Sequence, residues 1–355
     1  MIETTENYIK EMITPRPRDA HKGNCGRVLL VCGSAGMAGA AVLCAKAALK
    51  SGAGLVTACV PRELFPILQT AVPEAMCIDR GSIVYDSVDL QSFECIAAGP
   101  GLRVGREQYQ IIEHLLLSYR GPLVLDADGL NNLCVYGKVP EKETYMATKA
   151  TEETDAMDIP RGMTSLLPEI TARRKHPVIL TPHPGEADRL LESLGQKKYR
   201  ELGREKAAEV LAKETGAIIV LKGADTLVAV DAKAGQDPGG DDGNQEALPT
   251  DTTDLFRNTT GNPGMATGGS GDVLTGVITA QVAYGRASVR KALRIGAQEE
   301  GGIAAGLTPL DATRAAVYMH GLAGDLAAAR IGEIGMTAMD IAEELPQAFR
   351  QIVGR

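Results

Sequence analysis

Short runs of uniformly apolar residues recur along this chain, and most of them end in glycine turns. "RVLLVC" (27–32), "LVTACV" (55–60), "FECIAAGPG" (93–101), "PLVLDAD" (122–128), "PVILTPH" (177–183), "GAIIVLKG" (216–223) and "TLVAV" (226–230) each read as a buried strand. None of them alternates apolar with polar positions. A strand that is apolar on both sides is covered on both faces, which is the pattern of a parallel sheet between helices. Helical spacing fills the intervals. "AAVLCAKAALKSG" (40–52) is an alanine-rich helix stopped at Gly52, a suitable C-cap residue. Further helices are predicted around 106–119, from about Glu186, and at about 271–284, 310–330 and 337–352. The fold class predicted is α/β, in three α/β/α layers with a mostly parallel central sheet.

Ligands of such folds sit beyond the carboxyl ends of the strands. The glycine turns at 33–39, 99–101, 126–129, 181–185 and 222–225 all fall at those ends, so they are expected to line one crevice. Three stretches break the rhythm. Residues 135–175 and 233–257 are polar or acidic and read as surface excursions or disorder, whereas 284–308 is open to being continued helix. No boundary reads as an interdomain linker. The expectation is one domain over 1–355, its core about 20–353, with insertions in those three places.

Composition narrows the function classes. A net charge of −8 and no basic stripe argue against nucleic acid as a partner, and 4% aromatic residues leave little for base stacking. Phosphates can still be bound locally, by backbone N–H groups and a few cations. The cysteines are scattered and odd in number, with no C-x-x-C pair, which predicts buried thiols in a reducing cytoplasm rather than a metal site. The N-terminal residues lack the apolar segment of a signal peptide, and no run is long enough to span a membrane.

Four turns carry candidate chemistry. In "NPGMATGGSGD" (262–272), Gly268, Gly269, Ser270 and Gly271 precede an apolar helix. Helix N-termini leave N–H groups unpaired and favour anions, so these residues form a candidate anion cradle. Asp272 beside it is placed to act as a base next to a transferring phosphoryl group; by itself it could equally cap the helix. No G-x-x-x-x-G-K is present, so this is not a P-loop. In "TPHPGE" (181–186), His183 could touch substrate or phosphate, or be structural, and Glu186 could help hold Mg²⁺ through water. In "LKGADT" (221–226), Lys222 and the backbone could hold a nucleotide, or form an ordinary turn. In "LDADGLN" (125–131), Asp126 and Asp128 stand at a strand end, where capping accounts for one and a ligand or metal contact is open for the other. "GSAGMAG" (33–39) does not have Rossmann spacing.

Taken in order, "HKGNCGRVLLVCGSAGMAGAAVLCAKAALKSGAGLVT" (21–57), "AAGPGL" (97–102), "LVLDADGLN" (123–131), "ILTPHPGEADRLL" (179–191), "VLKGADT" (220–226), "NPGMATGGSGDVLTGVITA" (262–280) and "YMHGLAGDLAA" (318–328) resemble the NAD(P)H-hydrate dehydratase family, a branch of the ribokinase-like fold. The resemblance covers nearly all of the chain outside the N-terminal tail and the three stretches above. Some relatives carry an N-terminal epimerase domain. Only about twenty residues precede "HKGNCGRV", so that domain is expected to be absent here.

The resemblance implies cofactor repair: dehydration of the S epimer of hydrated NADH or NADPH, coupled to conversion of ADP to AMP and phosphate, or to ATP cleavage in eukaryotic members. It implies Asp272 as the catalytic base. It implies that Lys222, Gly223, Ala224, Asp225, Thr226 and Gly271 bind the nucleotide, and that Ala40, Gly101, His183 and Asp272 contact the hydrated dinucleotide. Glu186 falls where such enzymes place a glutamate that organises Mg²⁺. A homotetramer is implied as well. The alternative is a ribokinase-like ATP-dependent kinase of a small vitamin precursor or sugar, which would use the same base and cradle.

Overall fold

The computed structural model describes residues 1–84, 87–136, 163–232, 253–294 and 307–354. Ten strands form one sheet: β1 (Ile2–Glu3), β2 (Arg27–Val31), β3 (Leu55–Val60), β4 (Met76–Asp79), β5 (Cys95–Ala98), β6 (Leu123–Leu125), β7 (Val178–Leu180), β8 (Ile218–Leu221), β9 (Leu227–Asp231) and β10 (Thr253–Arg257). Their order is β1-β10-β9-β8-β7-β6-β5-β2-β3-β4. Neighbours from β8 to β4 run parallel, while β9 is antiparallel to both β8 and β10.

Successive strand residues enter opposite cores, which is why the runs are apolar throughout. Val28, Leu30, Val124, Ile179 and Val220 pack with the helices Ala38–Lys50, Ser270–Arg294, Pro309–Ile331 and Ala338–Val353. Leu29, Val31, Leu123, Leu125, Leu180 and Leu221 pack with Arg106–Ser118, Pro184–Ser193 and Arg204–Thr215 on the other face. The three layers expected from the pattern are present.

Two boundaries are corrected. Residues 2–12 join the fold, although the core was expected to begin near residue 20. β1 pairs with β10, and the Glu6–Met12 helix docks through Tyr8, whose hydroxyl donates to Asp311 Oδ1. The Arg314 guanidinium lies between the Tyr8 and Phe256 rings, 3.8 and 3.9 Å from their centroids. Second, Thr253–Arg257, inside the stretch expected to be an excursion, is a sheet strand, and Met163–Ala172, inside the 135–175 stretch, is a helix. The Ser270–Arg294 helix continues into the third stretch. The remainder of those stretches, 137–162, 233–252 and 295–306, lies outside the described residues. Among the described residues no helix is long and apolar enough to cross a membrane.

The parallel register aligns the carboxyl ends. Val31 is paired with Cys59 and Ala98, Ala98 with Leu125, and Leu125 with Leu180. The loops that follow these residues therefore share one edge. The backbone there is crowded: Gly99 has φ +132°, and a methyl on it would lie 1.8 Å from the Asp126 carbonyl oxygen. No side chain fits at that position without moving the Asp126 backbone.

Candidate active site

Three adjacent parallel strands present the core of the site. Asp126 follows β6, His183 follows β7 and Lys222 follows β8. Lys222 Nζ lies 2.5 Å from Asp126 Oδ1 and 3.6 Å from Glu186 Oε2. Asp126 is 1% exposed, and its second oxygen accepts a 2.8 Å bond from the Thr275 hydroxyl. Burial works against the Lys222 ammonium. Asp126, Glu186 and Asp272 outweigh it and hold its pKa above the ordinary lysine value. Lys222 is thus a fixed cation in a carboxylate cluster, positioned for anionic ligands.

The glycine stretch meets this cluster. The Ser270–Arg294 helix begins inside it, with Asp272 in its first turn. A methyl on Gly271 would lie 3.4 Å from Lys222 Nζ and 3.6 Å from Asp126 Oδ2, so the expected cradle residue and the expected nucleotide lysine are neighbours. Gly269 has φ +94°, and its Cβ position is 2.4 Å from Leu43 Cδ1 and 3.8 Å from Asp272 Oδ2. That positive φ strains any L side chain, and a methyl would also press on Ala338 Cβ at 3.1 Å and displace the Leu43 side chain. Burial pushes the Asp272 carboxyl up to about 7. Asp126 adds to this, Lys222 opposes it, and Asp128 contributes further upward.

The "YMHGLAGDLAA" stretch supports the loop that carries the cradle. Asp325 accepts from Gly261 N at 2.9 Å and Asn262 Nδ2 at 3.0 Å, and the Thr260 hydroxyl donates to the Tyr318 carbonyl at 3.0 Å. His320 is 8% exposed, and its ring is hydrogen-bonded to the Ser270 backbone, within the cradle itself. Burial drives its pKa down to about 4 against the effect of that bond, so the imidazole is neutral near pH 7.

The other expected residues fall as follows. His183 and Glu186 form a capping box for the Pro184–Ser193 helix. His183 Nδ1 accepts from Gly185 N at 3.0 Å and Glu186 N at 3.4 Å, and Glu186 Oε2 accepts from His183 N at 2.8 Å. That assigns the neutral ring's hydrogen to Nε2, which lies 3.3 Å from Glu186 Oε1. The structural role is met, yet half of the His183 side chain stays exposed to a ligand. Gly223, Ala224, Asp225 and Thr226 form the turn between β8 and β9. Thr226 Oγ1 donates to the Gly223 carbonyl, Asp225 adopts φ +54°, and Arg204 donates to the Ala224 carbonyl. Ala40 and Gly101 face each other: a methyl on Gly101 would lie 2.9 Å from Ala40 Cβ. Asp128 accepts from the Arg103 and Asn131 nitrogens, which ties the loop after β5 to the loop after β6.

Thr275, His320 and Arg204 were not anticipated. Thr275 had a readable signal, since it follows Asp272 by three on the same helix and so shares its face. Arg204 reaches the site from a helix whose sequence carries no such mark, and His320 lies in the "YMHGLAGDLAA" stretch, to which no role was assigned.

The fold is ribokinase-like. An Enterococcus faecalis protein described as a ribokinase-like superfamily member shares the fold at a TM-score of 0.68, covering 100% of this chain and 97% of its own at 23% identity. The chain belongs to the NAD(P)H-hydrate dehydratase family, whose model matches residues 28–148, 162–236 and 242–347. A crystal structure of the ADP/ATP-dependent NAD(P)H-hydrate dehydratase of Bacillus subtilis, co-crystallised with ATP/Mg²⁺, superposes with a TM-score of 0.70. It is 26% identical, over 99% of this chain and 98% of that one. The bifunctional NAD(P)H-hydrate repair enzyme of Moorella thermoacetica is 33% identical over 98% of this chain. The chain spans 54% of that protein's length, about half.

Proposed function

We propose that this chain restores hydrated NADH and NADPH by a dehydration driven by nucleotide cleavage, with ADP as the donor and ATP as the second choice. The observation that carries the reading is Asp272. It is a carboxylate held near neutrality in the first turn of a glycine-cradled helix, beside the Lys222–Asp126 pair.

Hydroxide is a poor leaving group and phosphate a good one. Asp272 takes the proton of the ring hydroxyl while that oxygen attacks the terminal phosphorus of ADP. The bond from that phosphorus to the bridging oxygen breaks and AMP leaves. N–H groups at 268–271 stabilise the charge on the transferring group. The ring nitrogen lone pair then expels phosphate, and loss of a proton from the neighbouring ring carbon restores the double bond. Lys222 and the 223–226 turn hold the nucleotide; Ala40, Gly101 and His183 hold the dinucleotide.

Glu186 and Asp126 are 4% and 1% exposed and both face the Lys222 cation. Among the described residues no three acidic, His or Cys side chains gather to ligate a metal directly, so Mg²⁺ would be held by the donor's phosphate oxygens and by Glu186 through water, where it would neutralise donor charge. A homotetramer, carried over from the family, and a cytoplasmic setting complete the proposal. The latter is supported by the free thiols of all seven cysteines.

The reaction is tested with hydrated NADH and ADP. The reduced-nicotinamide absorbance should return with release of free phosphate and AMP. A stable phosphorylated product without a restored ring would favour the kinase reading.

A pH profile gives an independent check. The base works only when deprotonated, so kcat/KM should rise with pH through about 7 and level off above it. The donor's phosphate titrates in the same region, near a pKa of about 6. Asp272→Glu separates the two, because it moves the limb only if the limb belongs to this side chain. A limb unmoved by that change would assign it to the phosphate.

A further inference from the structure

Arg204, the first residue of the Arg204–Thr215 helix, has a place in the site that the reaction above does not use. Its guanidinium lies against the turn between β8 and β9. One terminal nitrogen donates to the Ala224 carbonyl, and the other donates to the Leu221 carbonyl at 3.4 Å. A methyl on Gly223 would lie 3.2 Å from both nitrogens, so the flat group covers the Gly223 face of the turn. One side chain thus pins the carbonyl of the residue before Lys222 and that of the residue after Gly223. The Lys222 backbone is fixed from a second direction, since its N–H donates to the Pro182 carbonyl at 2.9 Å.

The turn needs such a hold. Gly223 has φ +145° and Asp225 φ +54°, and a left-handed residue that carries a side chain persists only where its surroundings impose it. The Thr226 hydroxyl donates to the Gly223 carbonyl at 3.0 Å, and Asn258 N donates to the Thr226 carbonyl at 2.9 Å. These bonds fix the end of the turn at Thr226. Leu221 and Ala224 are held by Arg204. The N–H and C=O of a planar trans peptide point in opposite directions. With the Ala224 carbonyl turned to the guanidinium, the Asp225 N–H points away from it. A turn that contains a left-handed residue can gather successive N–H groups into an anion-binding concavity. A guanidinium suits the task because its donors form a rigid planar fork that reaches two carbonyls at once, whereas lysine offers one flexible ammonium. Both ends of the fork are committed to carbonyls, so Arg204 acts through the turn and not on the reacting atoms.

We propose that Arg204 is a positioning residue of the donor site: it holds residues 221–225 in the shape that presents their N–H groups to the phosphates of the nucleotide. The proposal rests on the dehydratase reading above, in which the 223–226 turn binds the donor. It assigns Arg204 to donor affinity and leaves proton transfer to Asp272.

The test compares Arg204→Lys with Arg204→Met in the full-length protein. Loss of one well-placed contact to a phosphate corresponds to about tenfold in affinity. Both variants should therefore raise the KM for ADP about tenfold, with kcat at saturating ADP and the KM for hydrated NADH as in the wild type. Lysine should not rescue, because a charge without the fork cannot pin both carbonyls. Rescue by lysine would make Arg204 a direct charge contact to the nucleotide. A fall in kcat with an unmoved KM for ADP would make it a support of the reacting groups. Either result would overturn the proposal, as would wild-type kinetics in both variants. A second measurement stands apart from turnover: ADP binding by calorimetry, without the hydrated dinucleotide. Both variants should weaken it by a similar factor, and unchanged affinity would overturn the proposal. Wild-type protein that binds ADP in an Arg204-dependent way, yet restores no hydrated ring, would sink the dehydratase reading alone.

Discussion

Asp272→Asn should abolish turnover, leave ADP affinity nearly unchanged and raise thermal stability. The first effect follows from removal of the proton acceptor, a contribution of about 10²–10⁴-fold for a positioned base. The second follows because the amide keeps the helix N-terminus and the Lys222 cluster in place. The third is a matter of sign. The folded carboxyl titrates at about 7 against an ordinary 3.8, mainly because burial disfavours its charge. Between those values the folded state binds more protons than the unfolded one, so this group's contribution to stability falls as pH rises from about 4 to about 7. The full difference is roughly 4 kcal/mol at about 1.4 kcal/mol per unit, and nearer ~2 kcal/mol for a carboxyl that solvent partly reaches. The variant should therefore melt above the wild type at pH 8, with a gap that narrows on acidification. Such a gain on loss of activity marks a group held at a cost for function. A variant with near wild-type turnover would remove Asp272 from the role of base.

Lys222→Met should raise the nucleotide KM about ten- to a hundredfold, the weight of a charge-assisted contact to phosphate. It should also destabilise the fold. Asp126, 1% exposed, would keep Thr275 as its one side-chain partner among the described residues, and breaking a buried pair from one side costs about 3–5 kcal/mol. The double variant Lys222→Met with Asp126→Asn separates the two effects. Removal of the stranded carboxylate should recover most of the stability, whereas nucleotide KM should stay high. Recovery of both together would make Lys222 structural and move the nucleotide elsewhere. Calorimetry and initial-rate kinetics on the two proteins decide it.

How much of this was readable beforehand depends on the range of the interaction. Strands such as Leu55–Val60 were legible because both faces are buried, which leaves an unbroken apolar run. β1 was not: two exposed residues carry no periodicity, and its pairing to β10 is a contact across the whole chain. Thr253–Arg257 was hidden because it follows an acidic, glycine-rich stretch and only Leu255 and Phe256, one on each face, are buried among its five residues. The glycine turn before Asp272 was legible locally, whereas the capping role of His183 was not: it was read as a substrate contact or a structural residue. The pairing of Lys222 with Asp126, 96 residues apart, and of Thr275 with Asp126, 149 apart, was beyond any local pattern. Asp126 was recognised as a strand-end acid but not as the partner that fixes the lysine.

The central claim is that a phosphate donor and a hydrated ring meet at Asp272, and that the ring leaves dehydrated. The most direct measurement follows the absorbance of reduced nicotinamide and free phosphate together, in one reaction of purified protein with hydrated NADH and ADP. The account predicts one phosphate and one AMP for each ring restored, with none of the three formed by Asp272→Asn. Phosphate released without ring recovery, or ring recovery without nucleotide cleavage, would contradict it.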